Sequence, residues 1–441
     1  LTSQTTRNAI QGSAPYLTFD GGRTRAVDTN GLLGITLSDG TQYMPSTNTS
    51  SSSAPISLPV EGQSFADIRM FVPTNTNSVN LSTLIGPPNN YWGDDDGDSD
   101  VTATGRLSLS IVDKNNQSVS RNSVLTICNA PYRIKLSSTD GTLSTRYGFP
   151  NRSTFSARSV TYYVNPKASP VVCFARPNLL YGKRGDDRYN PSWNFAGPAS
   201  IWSPNKGFLT QETDPSLYGR NFPTTGANGL YFDLLINGVS QPLSWSPVSQ
   251  GGITVTMSNP TATSVRVTLT GPYATQSQQK SSSPDRLSTL SLPQTFELVG
   301  RATNGTSVVK YGFTLKQWFV GRGSWYGAYS LALSWCNSLG YRVPRVRDLT
   351  NASCRGSNTG NKCRGSVGAT PSSPGNYYQR RIGSGLVTEW GNMVGYSGVG
   401  LSSTYWTRDS DGSNQFIVST DHGPVHWDYN GYGHHGLCSY P

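Results

Sequence analysis

The densest run of chemistry-bearing side chains is Asp94-Asp95-Asp96-Gly97-Asp98-Ser99-Asp100. Its alternate carboxylates, Asp94, Asp96, Asp98 and Asp100, can wrap oxygen ligands around a hard cation such as Ca²⁺, because one ion offsets the mutual repulsion of several acids. The spacing departs from an EF-hand loop, which wants Gly at its sixth position and Glu at its twelfth. Here Gly97 is fourth and Gly105 is twelfth. A calcium site and a plain solvated acidic turn both fit. No other cofactor is required by any motif.

All four histidines, His422, His426, His434 and His435, lie near the end of the chain among Trp427, Tyr429, Tyr432 and Tyr440. Gathered imidazoles could hold a transition metal or titrate near pH ~6. The intervening Gly423, Pro424, Gly431 and Gly433 deny them a common helical face. A loop rich in Tyr, Trp, Gly and His is also what protein-binding surfaces use, since rigid rings bury much area at low entropic cost. Trp427, Tyr429, Tyr432, His434 and His435 are therefore candidate contact residues. Upstream, Arg342, Arg345, Arg347, Arg355, Lys362, Arg364, Arg380 and Arg381 face a single acid, Asp348. On one face they would draw an acidic partner, and Arg380 and Arg381 join the candidates on that ground; scattered over long loops they would simply be solvated.

Gly-x-Ser-x-Gly, a phosphate-cradling loop, a His-Glu-x-x-His helix and a Cys/His pair poised for nucleophilic chemistry are all missing, so the chain is not expected to be an enzyme. Its 35 Lys and Arg against 25 Asp and Glu give +10. That balance favours acidic surfaces, including anionic glycans. No nucleic-acid-binding signature accompanies it, so nucleic acid is not an expected partner.

The elements that must position these residues read as strands. At 441 residues, with Gly 47 and Pro 28 between short β-branched runs, the chain is expected to be mostly β and divided into several domains. The expected segments are 1–120, a β-rich domain with the acidic loop; 121–225, a β-rich domain with a disulfide; 226–319, an immunoglobulin-like sandwich; and 320–441, a domain opened by a helix. Within the third, Gln276 to Ser288 is expected as an exposed loop. Gly182 to Asn221 shows no period and reads as long loops or a domain junction. Six cysteines, none in a Cys-x-x-Cys pair, suit an oxidising address. Cys128 and Cys173 sit in β-branched surroundings and form a natural inter-strand pair. Cys336 and Cys438 can close one long loop, leaving Cys354 and Cys363 a short one. No run of about 18 apolar residues occurs, so no membrane-spanning helix is expected. The start, Leu1 to Arg7, lacks an apolar signal core, so the chain is expected to be processed or part of something larger.

Trp325 to Leu339 carries Ala328, Ala332, Trp335, Cys336 and Leu339 at helical spacing, with Gly340 where a C-cap belongs. After it come Gly340-Tyr-Arg-Val-Pro344, Glu389-Trp-Gly391, Tyr405-Trp-Thr407 and the terminal Cys438. This order resembles the C-type lectin-like domain at the tip of intimin and invasin family adhesins of enterobacteria, over about 320–441. The resemblance implies tandem immunoglobulin-like sandwiches before an α+β lectin-like tip that binds a host-cell or secreted host protein, an outer-membrane or secreted location, and a role in attachment and virulence. It also makes Glu389 a core residue. The family's membrane barrel is missing from this segment, so any anchor would lie in a further N-terminal part. The Glu-Pro-Asn or Gln-Pro-Asp and Trp-Asn-Asp sets of calcium-dependent sugar-binding lectins are missing too, Trp427-Asp428 being the nearest echo. A lectin for acidic glycans and a structural or export-linked protein without its own ligand are the alternatives.

Overall fold

The computed structural model describes residues 13–356 and 359–441, so the N-terminal stretch Leu1 to Arg7 lies outside the described residues. The chain divides into two compact units, 1–169 and 170–441. The division falls inside the segment expected as the second domain.

The first unit is built on a five-stranded sheet in the order Ile56–Ser57, Arg158–Asn165, Tyr132–Ser138, Arg106–Val112, Ser78–Asn80. All its pairs are antiparallel except that of Ile56–Ser57 with Arg158–Asn165. Alternation explains the register: Leu107, Leu109 and Ile111 point into the same core as Ile134 and Leu136, while Arg106 and Ser110 face water. Arg121 is buried and donates to the carbonyls of Phe65, Ile68 and Val72, which ties the turn at 65–67 to the segment after it.

The second unit contains a sandwich. A seven-stranded sheet that includes Val171–Arg176, Tyr231–Asn237, Ser264–Thr270 and Ile253–Ser258 faces a three-stranded one of Ser244–Trp245, Gln294–Arg301 and Ser307–Leu315. Phe232 of the first meets Phe313 of the second with ring centroids 6.0 Å apart. The lectin-like part follows, with helix Tyr329–Leu339 and the hairpin strands Thr404–Ser410, Asn414–Ser419 and Val425–Tyr429. Gly340 closes the helix at φ 82°, as its position predicts. Cys336 on that helix is bonded to Cys438 on strand Leu437–Tyr440, and Cys354 to Cys363. Among the described residues no cysteine is free. Among the described residues no helix is long and apolar enough to cross a membrane.

The sandwich and the lectin-like part share one core. Strand Gln317–Gly321 runs across the expected boundary at 319/320 and pairs on one side with Thr225–Ala227 and on the other with Leu437–Tyr440. The stretch expected as an exposed loop, Gln276 to Ser288, keeps most of its side chains in water but docks its backbone. It forms helix Gln276–Lys280, and the carbonyls of Gln278, Gln279 and Ser281 accept from Trp335 and Arg322 of the lectin-like part. Buried indole and guanidinium donors need such acceptors.

Candidate functional site

Four aromatic or imidazole rings expected at a contact surface do assemble. Tyr429 and Tyr432 are 53% and 58% exposed, and Tyr326 from the segment before the helix joins them at 64%. Their rings pack in an edge-on chain, Trp427 to Tyr429 at 5.6 Å and Tyr429 to Tyr432 at 5.2 Å. The Lys362 ammonium lies 5.5 Å from the Trp427 ring centroid. His434 holds this surface in place: Nε2 is 2.8 Å from Asp428 Oδ2 and Nδ1 is 3.0 Å from Thr404 Oγ1. Its backbone exchanges two 3.0 Å hydrogen bonds with Gly327, which carries Tyr326 alongside. The imidazole is thus a tether between three segments. Tyr326 was not singled out from sequence, because its relation to residue 434 comes from that bridge alone.

His435 is half-buried, its ring 5.5 Å from that of Tyr326 and 6.0 Å from that of Tyr405. Burial holds its imidazole below the ordinary histidine range, with the charge of neighbouring His434 adding to the effect. Asp421 is also shifted: burial pushes it up, but the His422 imidazole beside it, Ser419 and the His422 N–H outweigh this and hold it at about 2. Both depressed values give stability that is present above the unfolded value and is lost as pH falls. The His435 contribution is expected to fade below pH 6.5 and that of Asp421 between 3.8 and about 2. Urea midpoints of the full chain from pH 8 to 3 check this: His435→Gln should flatten the upper step and leave the lower one.

Arg380 is no contact residue. It is fully buried, with Nε donating to Thr388 O at 3.1 Å, Nη1 to Asn178 O at 2.9 Å and Nη2 to Glu389 O at 2.9 Å, and it lies 4.1 Å over the Trp202 ring. It pins the irregular stretch after strand Val171–Arg176 to the lectin-like part, a job no local pattern announces. Arg342 pairs with Asp348 at 2.8 Å and Arg345 approaches Asp409 at 3.8 Å. Of the eight basic residues, Arg347, Arg355, Lys362 and Arg364 are exposed.

Glu389 is fully buried and faces donors only. It accepts from the backbone N–H and hydroxyl of Thr224 and of Thr225 and from Gly383 N–H, at 2.6 to 3.2 Å. Burial pushes its carboxyl above the ordinary range while those donors pull against it. Trp390 beside it donates to Thr225 O and packs on Phe222 at 4.9 Å. Glu-Trp-Gly is therefore the joint between lectin-like part and sandwich.

In the first unit, Asp94, Asp96 and Asp98 bring one carboxylate oxygen each within 4.8 Å of one another. Asp100 is exposed and stays outside this group. Asp95 turns instead to Arg25, 3.0 Å away. Desolvation and a hydrogen bond with Asp98 raise the Asp94 carboxyl above its ordinary range. Asp96 Oδ2 is buried without a hydrogen-bond partner.

No family model matches the chain. A stretch of 120 residues is 32% identical to the inverse autotransporter adhesin YeeJ of Escherichia coli K12, covering 26% of this chain and 4% of that protein. The chain thus spans a small fraction of that relative's length. Among solved structures, invasin, described as a bacterial integrin-binding protein, is similar at 15% identity and a TM-score of 0.36, over 78% of this chain and 52% of its own. A C-terminal intimin fragment in complex with the intimin-binding domain of its translocated receptor is similar at 11% identity and a TM-score of 0.32, over 78% and 94%. At these scores the superpositions carry no argument of their own.

Proposed function

We propose that this chain is an adhesin of intimin/invasin type whose lectin-like part binds a protein on the host-cell surface or secreted by the host. The preceding β units would serve as its spacer on the bacterial surface or in a secreted molecule, in the service of attachment and virulence. The observation that carries this reading is the ring surface formed by exposed Tyr326, Tyr429 and Tyr432 beside half-buried Trp427, tethered through His434. Rings already fixed in place lose little entropy on binding, and Tyr and Trp dominate the energetics of protein interfaces. The motif resemblance and the YeeJ match support the adhesin class. Binding of the labelled full chain to host cells tests the choice of partner. Protease treatment of the cells should abolish binding and removal of their acidic glycans should spare it; the reverse would make the chain a lectin for acidic glycans.

The acidic loop of the first unit is assigned to calcium in the same reading, with Asp94, Asp96 and Asp98 as ligands. The favouring observation is the buried, unpartnered Asp96 Oδ2 beside the other two carboxylates. Calcium should raise a melting transition of the full chain relative to chelator, and Asp96→Asn should remove the difference. An identical melt in both conditions would leave a solvated turn.

A further inference from the structure

Besides the ring surface, the second unit carries a cleft of about 490 Å³ where the sandwich meets the lectin-like loops. Three cations reach it from separate segments. Arg220 comes from the end of the short helix Pro215–Arg220, Lys316 from the link between strands Ser307–Leu315 and Gln317–Gly321, and Arg381 from the residue after the buried Arg380. Arg220 is paired with Glu212 at 2.9 Å. Lys316 and Arg381 make no ion pair with any described residue, and Arg381 Nε is buried without a hydrogen-bond partner. The other nearby carboxylate, Glu389, lies beneath the cleft with its oxygens occupied by Thr224, Thr225 and Gly383. The cleft therefore holds positive charge that the protein leaves unanswered, and a buried guanidinium nitrogen without an acceptor is costly unless something supplies one.

The rest of the lining decides which kind of anion fits. Ile201, Ile382 and Pro371 give it aliphatic walls, and it contains no aromatic ring on which a sugar face could stack. A carboxylate on a short stem flanked by aliphatic groups matches such walls, and the planar guanidinium of Arg381 suits a carboxylate's paired oxygens.

We infer that this cleft receives an acidic side chain from an extended segment of a partner protein, with Arg381 and Lys316 holding the carboxylate. The inference goes beyond the host-protein reading and does not depend on it, since the probe below is a peptide and not a host receptor. Fluorescence polarisation of the full chain with a labelled peptide, Gly-Leu-Asp-Glu-Ile-Glu-Leu-Gly, tests it against the same peptide carrying Asn and Gln for its acids. The acidic peptide should bind, the neutral one should not, and binding should weaken at least tenfold in Arg381→Gln and several-fold in Lys316→Glu. Lys316 is exposed, so the second variant keeps the test valid should the first fold poorly. Equal binding of both peptides, unchanged affinity in folded variants, or displacement of the acidic peptide by 3′-sialyllactose would each overturn the assignment.

Discussion

Glu389→Ala is expected to destabilise the second unit by about 3 kcal/mol or more, because it strips the acceptor from three backbone N–H groups and two hydroxyls buried at the joint. In a unit of this size that corresponds to a fall in melting temperature of roughly 6 to 12 °C. Glu389→Gln keeps the shape but turns an NH₂ group toward donors, so it should fall closer to alanine than to wild type. Arg380→Lys should be costly too, since one ammonium cannot reproduce three carbonyl contacts and the stacking on Trp202. Calorimetry of the full chain checks both. The joint is expected to loosen, so that sandwich and lectin-like part no longer melt together. Variants that melt within 1 or 2 °C of wild type, a shift worth roughly half a kcal/mol, would show that the shared core alone holds the two parts.

Removing the Cys336–Cys438 bond by paired serine substitutions is the second large effect. The bond closes a loop of 102 residues, and confining so long a loop in the unfolded chain is worth about 4 to 5 kcal/mol. The Cys354–Cys363 bond closes only 9 and should be worth about 2 to 3 kcal/mol by the same relation. Urea unfolding under non-oxidising conditions checks the order of the two paired variants. Equal losses would mean that native-state geometry, and not loop length, sets the contribution of each bond.

The sequence announces what depends on local spacing. Helix Tyr329–Leu339, its Gly340 cap and the alternating strands at 230–236, 253–257 and 265–270 follow from periodicity and turn chemistry. The lectin-like motifs mark the C-terminal part because several lie at its buried joints, as Glu389 and Trp390 do. What stays hidden depends on acceptors far away in the chain. Arg380 reads as a cation for an acidic partner until Asn178, 202 residues earlier, offers its carbonyl. Gln276 to Ser288 reads as a free loop until Trp335 and Arg322 claim its carbonyls. The ring surface was legible in Trp427, Tyr429 and Tyr432, while Tyr326 needed the pairing of Gly327 with His434 to bring it there.

The adhesin reading places recognition on those exposed rings, and a double substitution tests that placement most directly. Tyr429→Ala with Tyr432→Ala removes two side chains that are more than half exposed and pack on each other and on the edge of Trp427, so the melting temperature of the full chain should fall by only a few degrees. Measured by flow cytometry on intact host cells, its binding is expected to drop at least tenfold against wild type. A folded double variant that binds host cells as wild type does would contradict recognition through this surface.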